Sequence, residues 1–225
     1  MKPKLIQRYK RSERINHWIV ALCFVLLAVS GLAFFYPAFF WLTGIFGTPQ
    51  LARILHPFIG VVMFVGFFIQ FFRYWKFNFF DKEDVKWMKS VKTILKGHEV
   101  GDVGKYNGGQ KGMFWLMTAC MVVLVVTGVI AWRPYFAEMF PIPVIRLALL
   151  FHAGAALVLI AGIIVHVYAA IWVKGTVRAM VEGVVTQQWA KKHHPRWYRE
   201  VMEKAGKEVA EDNAEVKPHI TSKNH

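Results

Sequence analysis

Four long apolar runs, at about residues 17–38, 54–74, 112–132 and 147–173, alternate with polar and mostly basic segments along the chain. Each run reaches the roughly 20 residues that a helix needs to cross a hydrocarbon core about 30 Å thick, so the pattern predicts four membrane-spanning helices. The first run is long for a signal peptide and lacks a small-residue cleavage site before the next segment, so it is expected to remain as a helix. Between the second and third runs the pattern changes. From Asp81 to Gly97 the lysines at 82, 86, 89, 92 and 96 form one stripe, with Val85, Met88, Val91 and Leu95 opposite. That spacing predicts a basic amphipathic helix on the membrane surface. The glycine-rich stretch GDVGKYNGGQKG follows and leads into the third run. After Val173 the basic, amphipathic sequence predicts that the fourth helix continues out of the membrane. His193 and His194, set among charges before a proline, read as solvated or subunit-contact residues. Beyond about Lys207 the near absence of apolar residues predicts disorder. The expected organisation is therefore a tail (1–16), a four-helix transmembrane bundle (17–173), an amphipathic extension (174–206) and a disordered tail (207–225).

Composition agrees with an all-α membrane protein: 56% of residues are hydrophobic and 19% charged. A net charge of +14 raises nucleic acid as a partner, but the basic residues cluster between the apolar runs and form no reading motif. Anionic lipid headgroups are the better counterpart. All but three of the 28 lysines and arginines precede the first run, lie in the connection around 73–111, or follow Val173. By the positive-inside rule both termini and the long middle connection are cytoplasmic. Trp18, Trp75, Trp115 and Trp172 then fall near that interface, with Trp41 and Trp132 near the other. Cys23 and Cys120 lie inside apolar runs, and the sequence contains neither CxxC nor CxxCH. This argues against thiolate metal sites, iron–sulfur clusters and covalently attached haem, and leaves two buried free thiols.

Histidine is the polar residue that stands out in the runs. His152 and His166 share the fourth run, and fourteen helical residues advance about 21 Å while returning to within about 40° of the starting face. One imidazole therefore sits in each leaflet, both facing the same way. His17 opens the first run and His56 the second. The topology sets His17 level with His166 and His56 level with His152, each pair drawing on two helices. Polar groups at such depths are costly and usually functional, and facing imidazoles in a bundle core suit two noncovalent b-type haems. His56 also precedes Pro57, a setting that would suit a helix start. Gly31, fourteen residues after His17, would leave room for the second haem. Gly60, Gly66, Gly128, Gly154 and Gly162 either do the same or simply admit close helix contact. Ser30 and Gln70 are further polar residues in the spans and could satisfy backbone or a neighbouring helix. Before the third run, the amides of Asn107 and Gln110 could hydrogen-bond a quinone carbonyl, with Gly108 and Gly109 allowing close backbone approach, or the stretch could be a flexible loop. His166, through a free Nδ1, is a second candidate contact.

The runs ERINHW, GTPQLARILHPFIG, KYNGGQK and WRPYFA, with VKG and AKKHHPRWYRE, together resemble the cytochrome b556 (gamma) subunit of respiratory formate dehydrogenase, from near the start to about Glu203. The resemblance implies a four-span dihaem subunit of a bacterial cytoplasmic (inner) membrane. In it, His56 and His152 hold the periplasmic-side haem b, and His17 and His166 the cytoplasmic-side one. It implies menaquinone binding near Asn107, Gly109 and Gln110. It also implies partners: a molybdenum- or tungsten-containing catalytic (alpha) subunit that oxidises formate, and an iron–sulfur (beta) subunit that passes electrons to this chain. The chain's own part would be the quinone-reducing electron-transfer step. The cytochrome b of a membrane-bound hydrogenase or thiosulfate reductase shares the dihaem plan. A histidine-relay transporter or channel is the alternative of another class, although neither broken helices nor inverted repeats are visible in the sequence.

Overall fold

The computed structural model describes residues 4–95 and 101–215. Lys96 and Gly97 of the expected amphipathic stripe, and residues 216–225 of the expected tail, lie outside the described residues. Among the described residues, four helices are long and apolar enough to cross a membrane: α1 (Arg11–Phe35), α2 (Pro49–Tyr74), α5 (Gly108–Ala131) and α6 (Ile142–Trp172). The shorter elements are α3 (Lys82–Lys89), α4 (Val91–Leu95), α7 (Thr176–Val181), α8 (Gln187–His193) and α9 (Pro195–Glu215), with strands β1 (Leu5–Gln7) and β2 (Val184–Thr186). By contacts the chain divides into a larger unit, residues 7–79 with 110–184, and a smaller one that includes residues 80–109 and the segment from Val185 onward.

In the larger unit, helix starts fall earlier than the apolar runs suggest, because polar capping residues precede them. The Glu13 carboxylate accepts from the Lys10 N–H at 2.6 Å, so α1 begins at Arg11 and His17 already stands inside the helix. Thr48 accepts from the Leu51 N–H at 3.1 Å and Pro49 takes the first turn, where its missing N–H costs nothing. Pro57 therefore lies within α2, and His56 is a helical residue; the helix-start reading of His56 is overturned by the Thr48–Pro49 signal upstream.

Cys23, Met63, Cys120, Met121 and Leu159 form a buried cluster to which all four spans contribute, and both cysteines are free thiols. Only 11–17% of each span's apolar window is buried within the protein. Residues such as Leu22, Leu150 and Ile164 point outward, and a bundle as apolar outside as inside is one solvated by lipid. α1 and α2 pack closely because position 66 is glycine: a Cβ there would come within 2.8 Å of Val20. Asn16 also donates its Nδ2–H to the Gly66 carbonyl at 3.0 Å. A Cβ at Gly162 would make ordinary contact with Met113 and Leu116, and one at Gly60 or Gly154 would meet open space. The expected continuation of the fourth helix does not occur. α6 stops at Trp172, and Gly175 and Gly183, with φ of 101° and 87°, turn the backbone into α7 and then β2. The Gly183 carbonyl accepts from the N–H groups of Arg8 and Tyr9, and Arg14 donates to the Val181 carbonyl.

The smaller unit departs further from the pattern. The region expected as a tail contains β1, which pairs with β2 in a two-stranded sheet. The amphipathic stretch after Asp81 is two helices rather than one, interrupted at Ser90. Asp81 caps α3 by accepting from the N–H groups of Glu83 and Asp84 at 2.9 and 3.0 Å. His194 is 2% exposed, with Nδ1 2.7 Å from the Gly104 carbonyl oxygen. The expectation of a solvated residue is thus reversed, since the loop carbonyl supplies a partner that makes burial affordable. The same loop is held by the Arg196 N–H on the Val103 carbonyl (3.1 Å) and by Arg199 on both Asp102 oxygens (2.7 Å). Arg196 also pairs with Asp81 at 2.7 Å. α9 runs to Glu215, so regular structure passes well beyond the expected break at Lys207.

Candidate functional site

The four histidines of the spans converge as two pairs, both within the larger unit. The ring centroids of His17 (α1) and His166 (α6) are 6.4 Å apart, and those of His56 (α2) and His152 (α6) are 6.3 Å apart. An imidazole nitrogen sits about 2.0–2.1 Å from a transition metal it ligates, and about 1.1 Å from its own ring centre, so two imidazoles on opposite sides of one ion have centroids about 6.3 Å apart. Both pairs meet that spacing. Among the described residues no group of three or more His, Cys, Asp or Glu side chains could hold a metal ion. Each pair supplies two imidazole nitrogens, a donor set that would fit a group bringing its remaining ligands with it, as a haem does.

The surroundings of the His56–His152 pair complete this fit. Ser30 of α1, fully buried, places Oγ 2.7 Å from His56 Nδ1. Thr127 of α5 places Oγ1 3.0 Å from His152 Nδ1. With Nδ1 engaged, Nε2 is the nitrogen left to bind a metal, the usual arrangement around ligating histidines. A Cβ at Gly128 would lie 3.3 Å from His152 Cε1, and one at Gly31 would lie 3.7 Å from His56 Cε1. Both glycines border the rings of this pair. Phe34 meets His56 edge-on at 5.9 Å.

Around the second pair, Trp18 meets His17 edge-on at 5.3 Å. Among the described residues, His17 Nδ1 and Gln70 Nε2 are buried without a hydrogen-bond partner. Ser30, which the sequence suggests only as a residue satisfying backbone or a neighbouring helix, and Thr127, which nothing in the sequence singles out, are the two hydroxyls that meet the histidines. Their signal, a hydroxyl in an apolar run, is common to many helices and does not reveal which neighbour it meets.

Asn107 immediately precedes α5, and Gly109 and Gln110 fall in its first turn. The space above the two glycines is filled within the smaller unit. A Cβ at Gly109 would stand 2.8 Å from the Trp87 ring, and one at Gly108 would stand 2.9 Å from the Asp84 carbonyl oxygen. Positions 108 and 109 thus lie too close to Asp84 and Trp87 for a side chain, and glycine at both avoids the clash.

The family model described as prokaryotic cytochrome b561 matches residues 8–183. The chain is 62% identical over 196 residues to "Formate dehydrogenase, cytochrome b556(fdo) subunit" of Escherichia coli (strain K12), covering 87% of this chain and 93% of that protein. It is 51% identical over 213 residues to "Formate dehydrogenase, nitrate-inducible, cytochrome b556(Fdn) subunit" of the same organism, covering 94% and 98%. A third relative, "Formate dehydrogenase, cytochrome b556 subunit" of Haemophilus influenzae (strain ATCC 51907 / DSM 11121 / KW20 / Rd), is 52% identical over 197 residues, covering 87% and 83%. With relatives at this level over almost their full length, the chain belongs to the prokaryotic cytochrome b561 family and, within it, to the cytochrome b556 subunits of formate dehydrogenase.

Proposed function

We propose that this chain is the membrane-anchor subunit of a formate:quinone oxidoreductase. It accepts electrons from an iron–sulfur partner and delivers them across the membrane to menaquinone; formate is oxidised on a separate molybdenum- or tungsten-containing subunit. The observation that carries this reading is the centroid spacing of the two histidine pairs, 6.3 and 6.4 Å. When bound, haem b supplies reversible one-electron chemistry at iron without gain or loss of a ligand. His56 and His152 would hold one haem, and His17 and His166 the other.

The protein's own work is positional. It presents Nε2 of His56 and His152, excludes water with apolar helices, and places the two sites about 21 Å apart by helix rise along α6. The positive-inside rule makes the His17–His166 site cytoplasmic and the His56–His152 site periplasmic, in an inner membrane with both termini inside. Electrons moving inward, with protons taken up from the cytoplasm by the reduced quinone, would add to the membrane potential.

At the cytoplasmic end, Asn107 and Gln110 are the proposed quinone contacts through their amides. Gly109 serves them by letting Trp87 pack against the start of α5. The test compares haem reduction by formate in the intact complex with haem reoxidation by a menaquinone analogue. Gln110→Ala and Asn107→Ala are expected to keep haem content and reduction while slowing reoxidation. Unchanged reoxidation in both variants would place the quinone elsewhere, and failure of formate to reduce the wild-type haems would overturn the assignment of the donor.

A further inference from the structure

The two histidine pairs are built differently, and the difference lies on their Nδ1 side. Ser30 Oγ is 2.9 Å from the Leu26 carbonyl and 3.2 Å from that of Leu27, in its own helix, as well as 2.7 Å from His56 Nδ1. Thr127 Oγ1 is 2.6 Å from the Val123 carbonyl and 3.0 Å from His152 Nδ1. A carbonyl can only accept, so the arrangement that uses every proton sends the hydroxyl hydrogen to the helix carbonyl and leaves an oxygen lone pair facing the ring. His56 and His152 then each donate Nδ1–H to a hydroxyl, and each Nε2 carries the free lone pair. On the other pair, His17 Nδ1 is buried and has no partner among the described residues.

We infer that Ser30 and Thr127 are positioning residues for the haem of the His56–His152 pair, fixing the tautomer and orientation of both axial ligands and holding that haem at the lower potential of the two. This rests on the dihaem reading above. The physical link is ligand basicity: an imidazole whose Nδ1–H is given to an acceptor pushes more electron density toward iron and favours the oxidised metal. Both ligands of one haem have that acceptor, whereas at least one ligand of the other lacks it. Electrons entering on the periplasmic side would then meet the lower-potential haem first, and the gradient runs inward. Because the two hydroxyls come from α1 and α5, all four spans shape this one site: two through ligands and two through hydroxyls.

The test is a potentiometric titration of the haems in the intact complex, with haem content measured by the pyridine haemochrome method, on Ser30→Ala, Thr127→Val and Thr127→Ser. Thr127→Val keeps the shape and removes the hydroxyl; Thr127→Ser keeps the hydroxyl and removes a methyl. The expected result is a rise in the midpoint potential of one component in Ser30→Ala and Thr127→Val, the same component in both, with the other unmoved and Thr127→Ser close to wild type. Loss of that component in Thr127→Val but not in Thr127→Ser would support the same conclusion. Unshifted potentials at full haem content, or equal shifts in Thr127→Val and Thr127→Ser, would overturn it. The dihaem reading is checked separately: His56→Ala must remove the component that Ser30→Ala shifts, and retention of both haems in His56→Ala would refute that reading rather than the role of the hydroxyls.

Discussion

At the scale of single residues, the protein protects the orientation of its histidines with very small neighbours. Gly128 is the sharpest case, because a methyl there would stand 3.3 Å from His152 Cε1, while Thr127 on the preceding residue holds the same ring from its Nδ1 side at 3.0 Å. A methyl there requires the ring, which Thr127 holds, to give by a few tenths of an ångström. Gly128→Ala is therefore expected to alter the spectrum or lower the content of one haem. Gly31→Ala, whose methyl would make ordinary contact at 3.7 Å, is expected to be tolerated. Low-temperature optical spectra of both variants check this, and identical behaviour of the two would remove Gly128 from the site. His152 and His166 are legible in the sequence because a titratable ring within an apolar run has few structural excuses, whereas His17 and His56, at the openings of their runs, are legible only through the level that topology gives them. The hydroxyls are not. A serine or threonine in a helix usually bonds its own backbone, and these two do so as well. Their second partner depends on helix rotation, which runs apolar on every side leave unspecified.

At the scale of elements, the segment after α6 is where the pattern of the chain and its structure part. A continued amphipathic helix was expected, and two glycines with positive φ instead turn it through α7 and a three-residue strand. Such a strand is too short for alternation to announce, and its partner β1 lies far away in sequence. What α8 and α9 gain from the turn is the loop at 102–104. Of the groups that hold the loop, His194 matters most: it is buried at 2% exposure, and its bond to the Gly104 carbonyl forms away from water. Removing a buried side chain and its hydrogen bond costs about 2 kcal/mol, whereas the exposed Arg199–Asp102 pair contributes little. Hydrogen exchange in the 101–109 segment is thus expected to rise by more than tenfold in His194→Ala and hardly at all in Arg199→Ala. Equal protection in both variants would show that the loop is held by other means.

At the scale of the whole molecule, four spans with apolar outer surfaces and a cluster of free cysteines, methionines and leucine between two histidine levels make a scaffold for electron transfer. The number of spans, their order and the two histidine pairings were all legible, because hydropathy fixes the spans and alternating direction fixes which histidines share a level. The boundaries were less so, since Glu13 and Thr48 cap their helices from outside the apolar runs. The central claim is that each pair of facing imidazoles holds one haem b. The most direct measurement is the haem-to-polypeptide ratio of the purified intact complex by pyridine haemochrome, on the wild type, His17→Ala and His56→Ala. The expected values are two haems per chain in the wild type and one in each variant, with the two variants losing different spectral components. A wild-type ratio of one or zero, or loss of the same component in both variants, would contradict the account.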